Sequence, residues 1–230
     1  MSDQEKEYTV KIIDTSEITH DVRSFMVEKP AGYEFSAGQA TEVGLPLESM
    51  EGEREPFTFT SLASDENLEF IIKRYPEGAG FTEAIHRCRK GDEIIIGEPW
   101  GAIKYKGPGT FIAGGAGITP FIAILRQLLV DGREKEARLI FSNKTSGDII
   151  LEEELKESVF AGRPEDLILT LTDEKSSDYL ASKIDKGFLD DNIEDFDQHF
   201  YVCGPPDFVE DILADLKELG ADPEGLVFEE

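Results

Sequence analysis

The residues best suited to chemistry form a glycine-rich segment between a predicted strand and a predicted helix. Residues 111–120 read FIAGGAGITP. Glycine allows a tight turn and lets the backbone approach a phosphate, and a helix N-terminus offers unpaired N–H donors to an anion. Thr119 suits the helix cap and Pro120 the first helical position. The segment predicts a phosphate site, with a tight turn that binds nothing as the alternative.

A second segment, YVCGPP at residues 201–206, ends a later predicted strand. Ligands of parallel sheets bind beyond the carboxyl ends of the strands. If the two strands are neighbours, Cys203 and Gly204 face the same crevice as the glycine-rich segment. A single cysteine at a strand end usually fills the core, but its combination with the glycine-rich segment favours a cofactor-lining residue.

A third segment lies in the first half of the chain. Residues 56–63 read PFTFTSLA, and GAGFT follows at 78–82. Taken alone, hydroxyls on alternate positions describe an ordinary β-strand.

Two kinds of element must position these segments. The first half contains short runs rich in Val, Ile, Phe and Thr that predict six strands and one helix, at 81–89. The strands are predicted at 8–14, 22–28, 39–44, 57–63, 68–75 and 93–98. This pattern predicts a small antiparallel β-barrel.

The second half alternates strands with helices. Strands are predicted at 110–113, 138–142, 167–172, 199–203 and 226–228, and helices at 119–130, 149–158, about 180–190 and 206–219. Such alternation predicts an α/β domain with a doubly wound parallel sheet. The rhythm changes at KGPG, residues 106–109, and predicts two domains, 1–107 and 108–230.

The composition indicates a folded, strongly acidic protein. Among 230 residues, 49 Asp and Glu face 23 Lys and Arg, a net charge of −26. This charge argues against nucleic acid and against anionic membrane surfaces as partners. Since no apolar run approaches the ~18 residues of a spanning helix and the first residues lack a signal-peptide layout, we expect a cytoplasmic protein. Two cysteines and three scattered histidines, His20, His86 and His199, predict no metal site.

The three segments together resemble the motifs of the ferredoxin–NADP reductase family, in the family's order. PFTFTS is similar to its flavin motif Arg-x-Tyr-Ser/Thr, residues 80–82 to its pyrophosphate loop, GGAGITP to its nicotinamide-domain motif and CGPP to its Cys-Gly element. The resemblance covers essentially the whole chain and is strongest to small bacterial members without a fused ferredoxin domain. It implies an FAD-binding barrel, an NAD(P)-binding α/β domain and NAD(P)H-dependent flavoprotein reductase activity.

The resemblance also implies roles for individual residues. The catalytic residues would be Thr58, with its hydroxyl near flavin N5, Cys203, near the nicotinamide ring, and Glu229. FAD would be held by Arg54, Pro56, Phe57, Thr58, Lys73, Arg74, Gly80, Phe81 and Thr82. The nicotinamide nucleotide would be held by Gly114, Gly115, Gly117, Thr119, Pro120, Lys144, Cys203, Gly204 and Pro205.

Three positions depart from the family pattern. Glu55 stands two residues before Phe57, where the family carries an arginine, Phe208 replaces a methionine, and no aromatic residue follows Glu229. One explanation is that Arg54 reaches the FAD phosphates through a one-residue shift, which we favour because arginine is the better fork for phosphate oxygens. The other is that Lys73 and Arg74 carry the phosphates while Glu55 points to solvent.

The predicted function is electron transfer from NAD(P)H through FAD to a ferredoxin- or flavodoxin-like carrier protein or another acceptor. The alternatives are a flavin reductase that releases free reduced flavin, and a non-catalytic nucleotide-binding or sensory module. NADH is favoured over NADPH, because the loop at 142–145 offers Lys144 but no arginine for a 2′-phosphate. A carrier would dock on a basic face formed by Arg87, Arg89, Lys90, Lys104 and Lys106.

Overall fold

The computed structural model describes residues 6–75, 80–101, 103–222 and 225–228. The chain divides into two compact units, Met1–Ala102 and Ile103–Glu230. The predicted change of domain, after residue 107, falls five residues later than this division. One reason is that the start of the second unit is tied to its sheet: the Tyr201 hydroxyl accepts hydrogen bonds from the backbone N–H groups of Lys106 and Gly107, at 2.9 and 3.1 Å.

Within the described residues, the first unit consists of an antiparallel sheet of six strands and a short α-helix. In chain order its elements are β1 (Tyr8–Glu17), β2 (Val22–Glu28), β3 (Ala40–Gly44), β4 (Glu55–Thr58), β5 (Asn67–Lys73), α1 (Phe81–Ile85) and β6 (Glu93–Ile96). The spatial order is β4-β3-β6-β1-β2-β5. The predicted six-stranded antiparallel architecture is confirmed.

The two outer strands of this sheet approach each other directly after β4. The Thr60 N–H group donates to the carbonyl of Glu69 on β5 at 2.9 Å. The face enclosed by this curvature holds an aromatic core that includes Phe25, Phe59 and Phe70, each at most 1% exposed. The closure explains how a single sheet of alternating residues encloses a core without a second layer.

The second unit contains a parallel sheet with helices in its connections. Its elements are β7 (Gly109–Gly114), α2 (Thr119–Val130), β8 (Ala137–Asn143), α3 (Glu152–Glu154), β9 (Leu167–Leu171), α4 (Lys186–Asn192), β10 (His199–Cys203), α5 (Pro206–Glu218) and β11 (Leu226–Phe228). The strand order is β11-β10-β7-β8-β9. All six residues of β7 are buried, as expected for a central strand covered on both faces. The predicted doubly wound sheet is confirmed.

Several predicted element bounds are wrong, and local contacts explain each. The predicted strand at 57–63 is β4 and ends at Thr58, because the next N–H groups leave β3: Phe59 donates to Gln39 and Thr60 to Glu69. The helix predicted at 81–89 ends at Ile85 and continues as isolated turns.

Two helices of the second unit also begin later than predicted. The segment predicted at 149–158 is interrupted by Leu151, whose φ of 55° is left-handed, so α3 begins at Glu152 and passes into a π-helical turn, Leu155–Val159. In the segment predicted at about 180–190, Leu180 pairs with β9, and α4 begins after Asp185, whose carboxylate accepts from the Phe188 N–H group at 2.9 Å.

No helix within the described residues has the length and apolar character needed to cross a bilayer.

Candidate functional site

The glycine-rich segment forms a tight turn at the carboxyl end of β7. β7 ends at Gly114, residues Gly115–Ile118 make one 3-10 turn, and α2 begins at Thr119. Gly115 has a φ of +53°, which favours glycine, and no atom lies within 4 Å of the place where a Cβ would stand. The turn therefore has an open side, where its backbone can meet a ligand.

The predicted cap of α2 is wrong by one residue. Ile118 already has helical angles and is the N-cap, so Thr119 is the first helical residue and Pro120 the second. The Thr119 hydroxyl donates to the Ala116 carbonyl at 3.0 Å instead of capping an N–H group. Because the 3-10 turn runs directly into the helix, no extended capping residue separates them.

The segment at Cys203 lies beside this turn, as predicted. β10 pairs with β7 so that Cys203 stands opposite Ala113. Gly117 lies against the carbonyl group of Cys203, and a Cβ on Gly117 would come within 2.6 Å of the Gly204 nitrogen. The two turns are thus packed backbone to backbone, with the exposed Pro205 following Gly204.

Phe208, in the first turn of α5, covers the glycines at the ends of both strands. Its ring carbons lie 3.1–3.3 Å from the place of a Cβ on Gly114, and 2.7 Å from that of a Cβ on Gly204. Side chains in a first helical turn point back towards the N-terminus, which explains this position. The sequence marks Phe208 as a departure from the family pattern but does not show its contact with the glycines.

The loop after β8 completes the carboxyl edge of this sheet. Asn143 is 5% exposed, and its side-chain amide has no hydrogen-bond partner within the described residues. Lys144 is exposed. Two residues further on, the N–H group and the hydroxyl of Ser146 both bind the carboxylate of Glu174, at 2.8 and 2.9 Å. The carboxylate of Glu174 therefore occupies the two hydrogen-bond donors that Ser146 offers to an anion in this loop.

In the first unit, β4 carries the flavin-motif residues at the edge of the sheet. Thr41 of β3 stands opposite Phe57, and Ala40 opposite Thr58. Phe57 is half-buried against the core, with its ring centroid 5.9 Å from that of Phe81. The half-buried Thr58 hydroxyl makes no hydrogen bond within the part of the chain that the structure describes. Pro56 is exposed, which an edge strand tolerates.

Arg54, the residue before β4 that is predicted to bind the FAD phosphates, makes its contacts within the first unit. Arg54 binds the Glu7 carboxylate through Nε and Nη2, at 3.0 and 2.9 Å, and donates to the Glu53 carbonyl at 2.8 Å. Its guanidinium lies over Gly44, where a Cβ would stand 2.7 Å from Nε. Glu55 is exposed.

The second predicted set of phosphate ligands lies at the end of β5 and the start of α1. Lys73 pairs with Asp21 at 3.1 Å, and Arg74 Nε lies 3.9 Å from the Glu83 carboxylate. The Thr82 hydroxyl accepts from the Tyr75 N–H group at 3.1 Å. Phe81 is buried and Gly80 exposed, with open space beside its Cα.

Two cavities differ in their relation to these residues. One of about 620 Å³ in the first unit is lined by Gly80 together with Leu47, Met50, Ala84, Arg87 and Cys88. Another of about 740 Å³ in the second unit lies beside β9. Its lining is largely apolar and contains none of the predicted site residues. The predicted site residues therefore lie at the turns and outside this larger cavity.

The groups present fit the two expected cofactors. The first unit offers aromatic rings, an unengaged hydroxyl, several arginines and a cavity beside Gly80. The second offers a tight glycine turn with an open face and a neighbouring thiol. Flat ring systems and phosphates are bound by such groups. Glu229, the third predicted catalytic residue, lies outside the described residues.

Comparison with known families supports the same division. Residues 9–105 match the family described as oxidoreductase FAD-binding domain, and residues 111–213 match oxidoreductase NAD-binding domain. The two matches together cover most of the chain and follow the predicted order.

Named relatives match along nearly the whole chain. NADH–cytochrome b5 reductase 1 of Arabidopsis thaliana is 29% identical over 238 residues, which cover 93% of this chain and 80% of that protein. The propane 2-monooxygenase reductase component of Rhodococcus jostii (strain RHA1) is also 29% identical, over 92% of this chain, but this chain spans 60% of that protein. A solved ferredoxin NADP+ reductase from Neisseria gonorrhoeae shares the fold, with a TM-score of 0.83 at 21% identity over 97% of this chain and 98% of that one.

The two units with their matched domains define an FAD- and NAD-binding oxidoreductase. The chain belongs to the ferredoxin–NADP reductase-like family and is an NAD(P)H-dependent flavoprotein oxidoreductase.

Proposed function

We propose that this protein takes a hydride from NADH and passes the electrons through FAD to a carrier protein that accepts them singly. The observation that carries the proposal is the backbone contact between the glycine turn and the Cys203–Gly204 turn, since it builds an anion-binding loop and a thiol into one edge of the sheet. A cavity and a half-buried aromatic edge in the first unit support a flavin site there.

The residues of the second unit would bind and orient the nucleotide. Gly115 and Gly117 would present backbone N–H groups to its phosphates, while the α2 N-terminus that begins at Thr119 adds a favourable dipole. Cys203 is half-buried at the end of β10 and would line the nicotinamide pocket. Gly204 and Pro205 would leave room for the nicotinamide ring beside the Cys203 thiol.

The residues of the first unit would hold and orient FAD, which supplies the conversion between a two-electron donor and one-electron acceptors when bound. Phe57 would pack against the cofactor ring, with Phe81 behind it. Thr58 would donate its unengaged hydroxyl near N5. Close, fixed placement of the two reacting rings is the main contribution a protein makes to hydride transfer.

The carboxylate of Glu174 supports NADH as the nucleotide. It is already bound by the N–H group and hydroxyl of Ser146, in the loop where a 2′-phosphate would be recognised. A second anion there would meet like charge across a short distance, where screening is weak. Lys144, in the same loop as Ser146, and Lys175, next to Glu174, are both exposed, and NADPH would need one of these cations.

The relatives support a protein acceptor. Their names describe reductases of cytochrome b5 and reductase components of oxygenases. With a net charge of −26, this chain would repel a strongly acidic carrier unless the carrier docks on a local basic face. A less acidic carrier protein is the acceptor we expect, and release of free reduced flavin is the alternative.

Anaerobic titration of the purified protein tests the proposal. We expect bound FAD, bleaching of the flavin band by NADH, and NADH-dependent reduction of carriers from a panel of ferredoxins, flavodoxins and b-type cytochromes without added flavin. Carrier reduction that depends on added free flavin would identify a flavin reductase. A colourless protein that takes up no FAD and oxidises neither NADH nor NADPH would reject both enzyme functions.

A further inference from the structure

The cavity of about 740 Å³ in the second unit lies beside β9, the strand at one edge of the parallel sheet. Its volume is typical of a small-molecule site. Three consecutive residues of β9, Leu167, Ile168 and Leu169, line it. Successive side chains of a strand point to opposite faces of a sheet. A wall made of three consecutive residues therefore places the cavity against the edge of the strand and not over one face.

The segment that follows β9 covers only part of this edge. The Leu180 carbonyl accepts from the Leu171 N–H group at 2.8 Å, and the Leu180 N–H group donates to the Leu169 carbonyl at 3.3 Å. Alternate residues of a strand direct their backbone groups to the same side, so the Leu167 carbonyl points to this side as well. Within the described residues, no backbone group of the covering segment binds it. The part of the edge that borders the cavity thus retains an acceptor for a ligand.

The walls of the cavity are largely apolar. Besides β9 they include Phe160 and Pro164, from the connection before the strand, and Leu180, from the segment after it. Phe160 is 1% exposed and belongs to the fixed interior, whereas Leu180 is 48% exposed. Removal of the Leu180 and Ile168 side chains from water would favour the binding of an apolar body.

Two charged residues line the cavity within the described part of the chain, and they differ in their partners. The Lys156 ammonium group binds the Glu152 carboxylate at 2.5 Å and lies 4.9 Å from the centre of the Tyr179 ring. Asp178 is exposed, and among the described residues its carboxylate accepts a hydrogen bond from the neighbouring Ser177 hydroxyl alone, at 3.1 Å. The positive charge is therefore compensated and the negative charge is not, so the complementary ligand is a cation.

We propose that this cavity binds an organic cation with an apolar body, of the class of arylalkyl primary amines. The ammonium group pairs with Asp178 and donates to the Leu167 carbonyl, while the apolar body packs on Ile168 and Leu180. The net charge of −26 favours the approach of cations over anions. The inference goes beyond electron transfer, since the cavity contains none of the predicted nucleotide-binding residues.

Isothermal titration of the FAD-loaded full chain with three probes of one shape tests the proposal. The probes are phenylbutylamine, which is cationic, phenylbutanol, which is neutral, and phenylbutyrate, which is anionic. We expect the amine to bind more tightly than the alcohol by about five-fold or more at low salt, and the acid to bind most weakly. The shared phenylbutyl body makes the charge of the head group the main difference between the probes.

Asp178→Asn removes the charge and keeps the size of the side chain. It should weaken amine binding by about five-fold or more and leave alcohol binding within about two-fold. Asp191→Asn, at an exposed position of α4 outside the cavity, makes the same change in net charge and should leave both within about two-fold.

Leu180→Ala tests the apolar wall, because alanine keeps the backbone pairing with β9 and removes most of the side chain. Both the amine and the alcohol should bind more weakly by about three-fold or more. Leu129→Ala, a change at another exposed leucine that does not line the cavity, is the control and should alter neither.

Four outcomes overturn the inference. They are a wild-type protein that binds the amine no more tightly than the alcohol, equal losses in Asp178→Asn and Asp191→Asn, unchanged binding in Leu180→Ala, and displacement of the amine by saturating NAD+. Equal losses in the two aspartate variants would mean that the overall charge alone attracts the amine. Displacement by NAD+ would make the cavity part of the nucleotide site. None of these measurements depends on hydride transfer, so a failure of the proposed function is read separately.

Discussion

Gly117 packs directly on the carbonyl group of Cys203, closely enough that no side chain could stand between them. The contact joins the turn after β7 to the turn after β10, which are neighbouring strands. A side chain on Gly117 would clash with the backbone of Cys203 and Gly204, which cannot move aside as a flexible side chain can. The relative position of the Cys203 thiol and of the N–H groups proposed to bind phosphate is therefore set by the absence of one Cβ.

Gly117→Ala should separate these two turns. We expect weaker NAD+ binding, by about ten-fold or more, and a loss of about 1–3 kcal/mol in the free energy of unfolding, because the added methyl overpacks a backbone contact. Isothermal titration with NAD+ and urea unfolding measure the two effects. Gly187→Ala in α4, where a Cβ would meet Asp185 at an ordinary 3.5 Å, is the control and should keep NAD+ affinity. Unchanged NAD+ binding in Gly117→Ala would remove this turn from the nucleotide site.

Phe208→Ala tests whether the Phe208 ring, which packs on Gly114 and Gly204, contributes to nucleotide binding or to stability alone. Phe196 packs on the same core cluster without contacting these glycines, so Phe196→Ala is the matched control. Each variant should lose about 1–3 kcal/mol of stability, since both side chains are half-buried. We expect Phe208→Ala alone to weaken NAD+ binding, by about five-fold, because the two turns lose a common support. Equal NAD+ affinities in the two variants would make Phe208 a packing residue.

Thr58→Ala tests the hydroxyl predicted to lie near flavin N5. Loss of one half-buried hydroxyl should cost about 1 kcal/mol of stability or less. Reduction of bound FAD by NADH, followed by stopped flow, should slow by about ten-fold or more if the hydroxyl orients the reacting ring. Thr60→Ala is the control: its hydroxyl donates to the Glu69 carboxylate at 2.8 Å inside the barrel, so the change should lower stability but not the reduction rate. Equal reduction rates for Thr58→Ala and the wild type would exclude Thr58 from the site.

The strand and turn placement of the site is predictable because it depends on local pattern. Consecutive buried residues predict β7, and the carboxyl ends of β7 and β10 meet because parallel strands end at one edge. The side-chain contacts of Glu83 and Glu174 are harder to predict from the sequence. Glu83 and Arg87 have the i,i+4 spacing of a helical ion pair, which was a usable signal, but Arg74 joins them from another element. Glu174 meets Ser146 across 28 residues, through loops after two different strands.

The contact of Arg54 is likewise hard to predict from the sequence. Arg54 is proposed to replace the family's arginine because it lies next to Glu55, which occupies that position. Neighbouring residues near a strand point in different directions, however, and Arg54 is held by Glu7, which is 47 residues away. No local pattern contains that partner.

Glu174→Gln tests the choice between NADH and NADPH. The carboxylate of Glu174 occupies the N–H group and hydroxyl of Ser146, so a 2′-phosphate bound there would face like charge. Gln keeps the size and a hydrogen-bonding oxygen but removes the charge, so the kcat/KM ratio of NADPH to NADH should rise by about five-fold or more. Glu157→Gln, an exposed residue of the same unit, makes the same change in net charge and should leave the ratio within about two-fold. Equal ratios in the two variants would mean that only the overall charge of the chain acts on the nucleotide. A rise confined to Glu174→Gln would assign the selectivity to the loop after β8, because the long-range field is the same in both proteins.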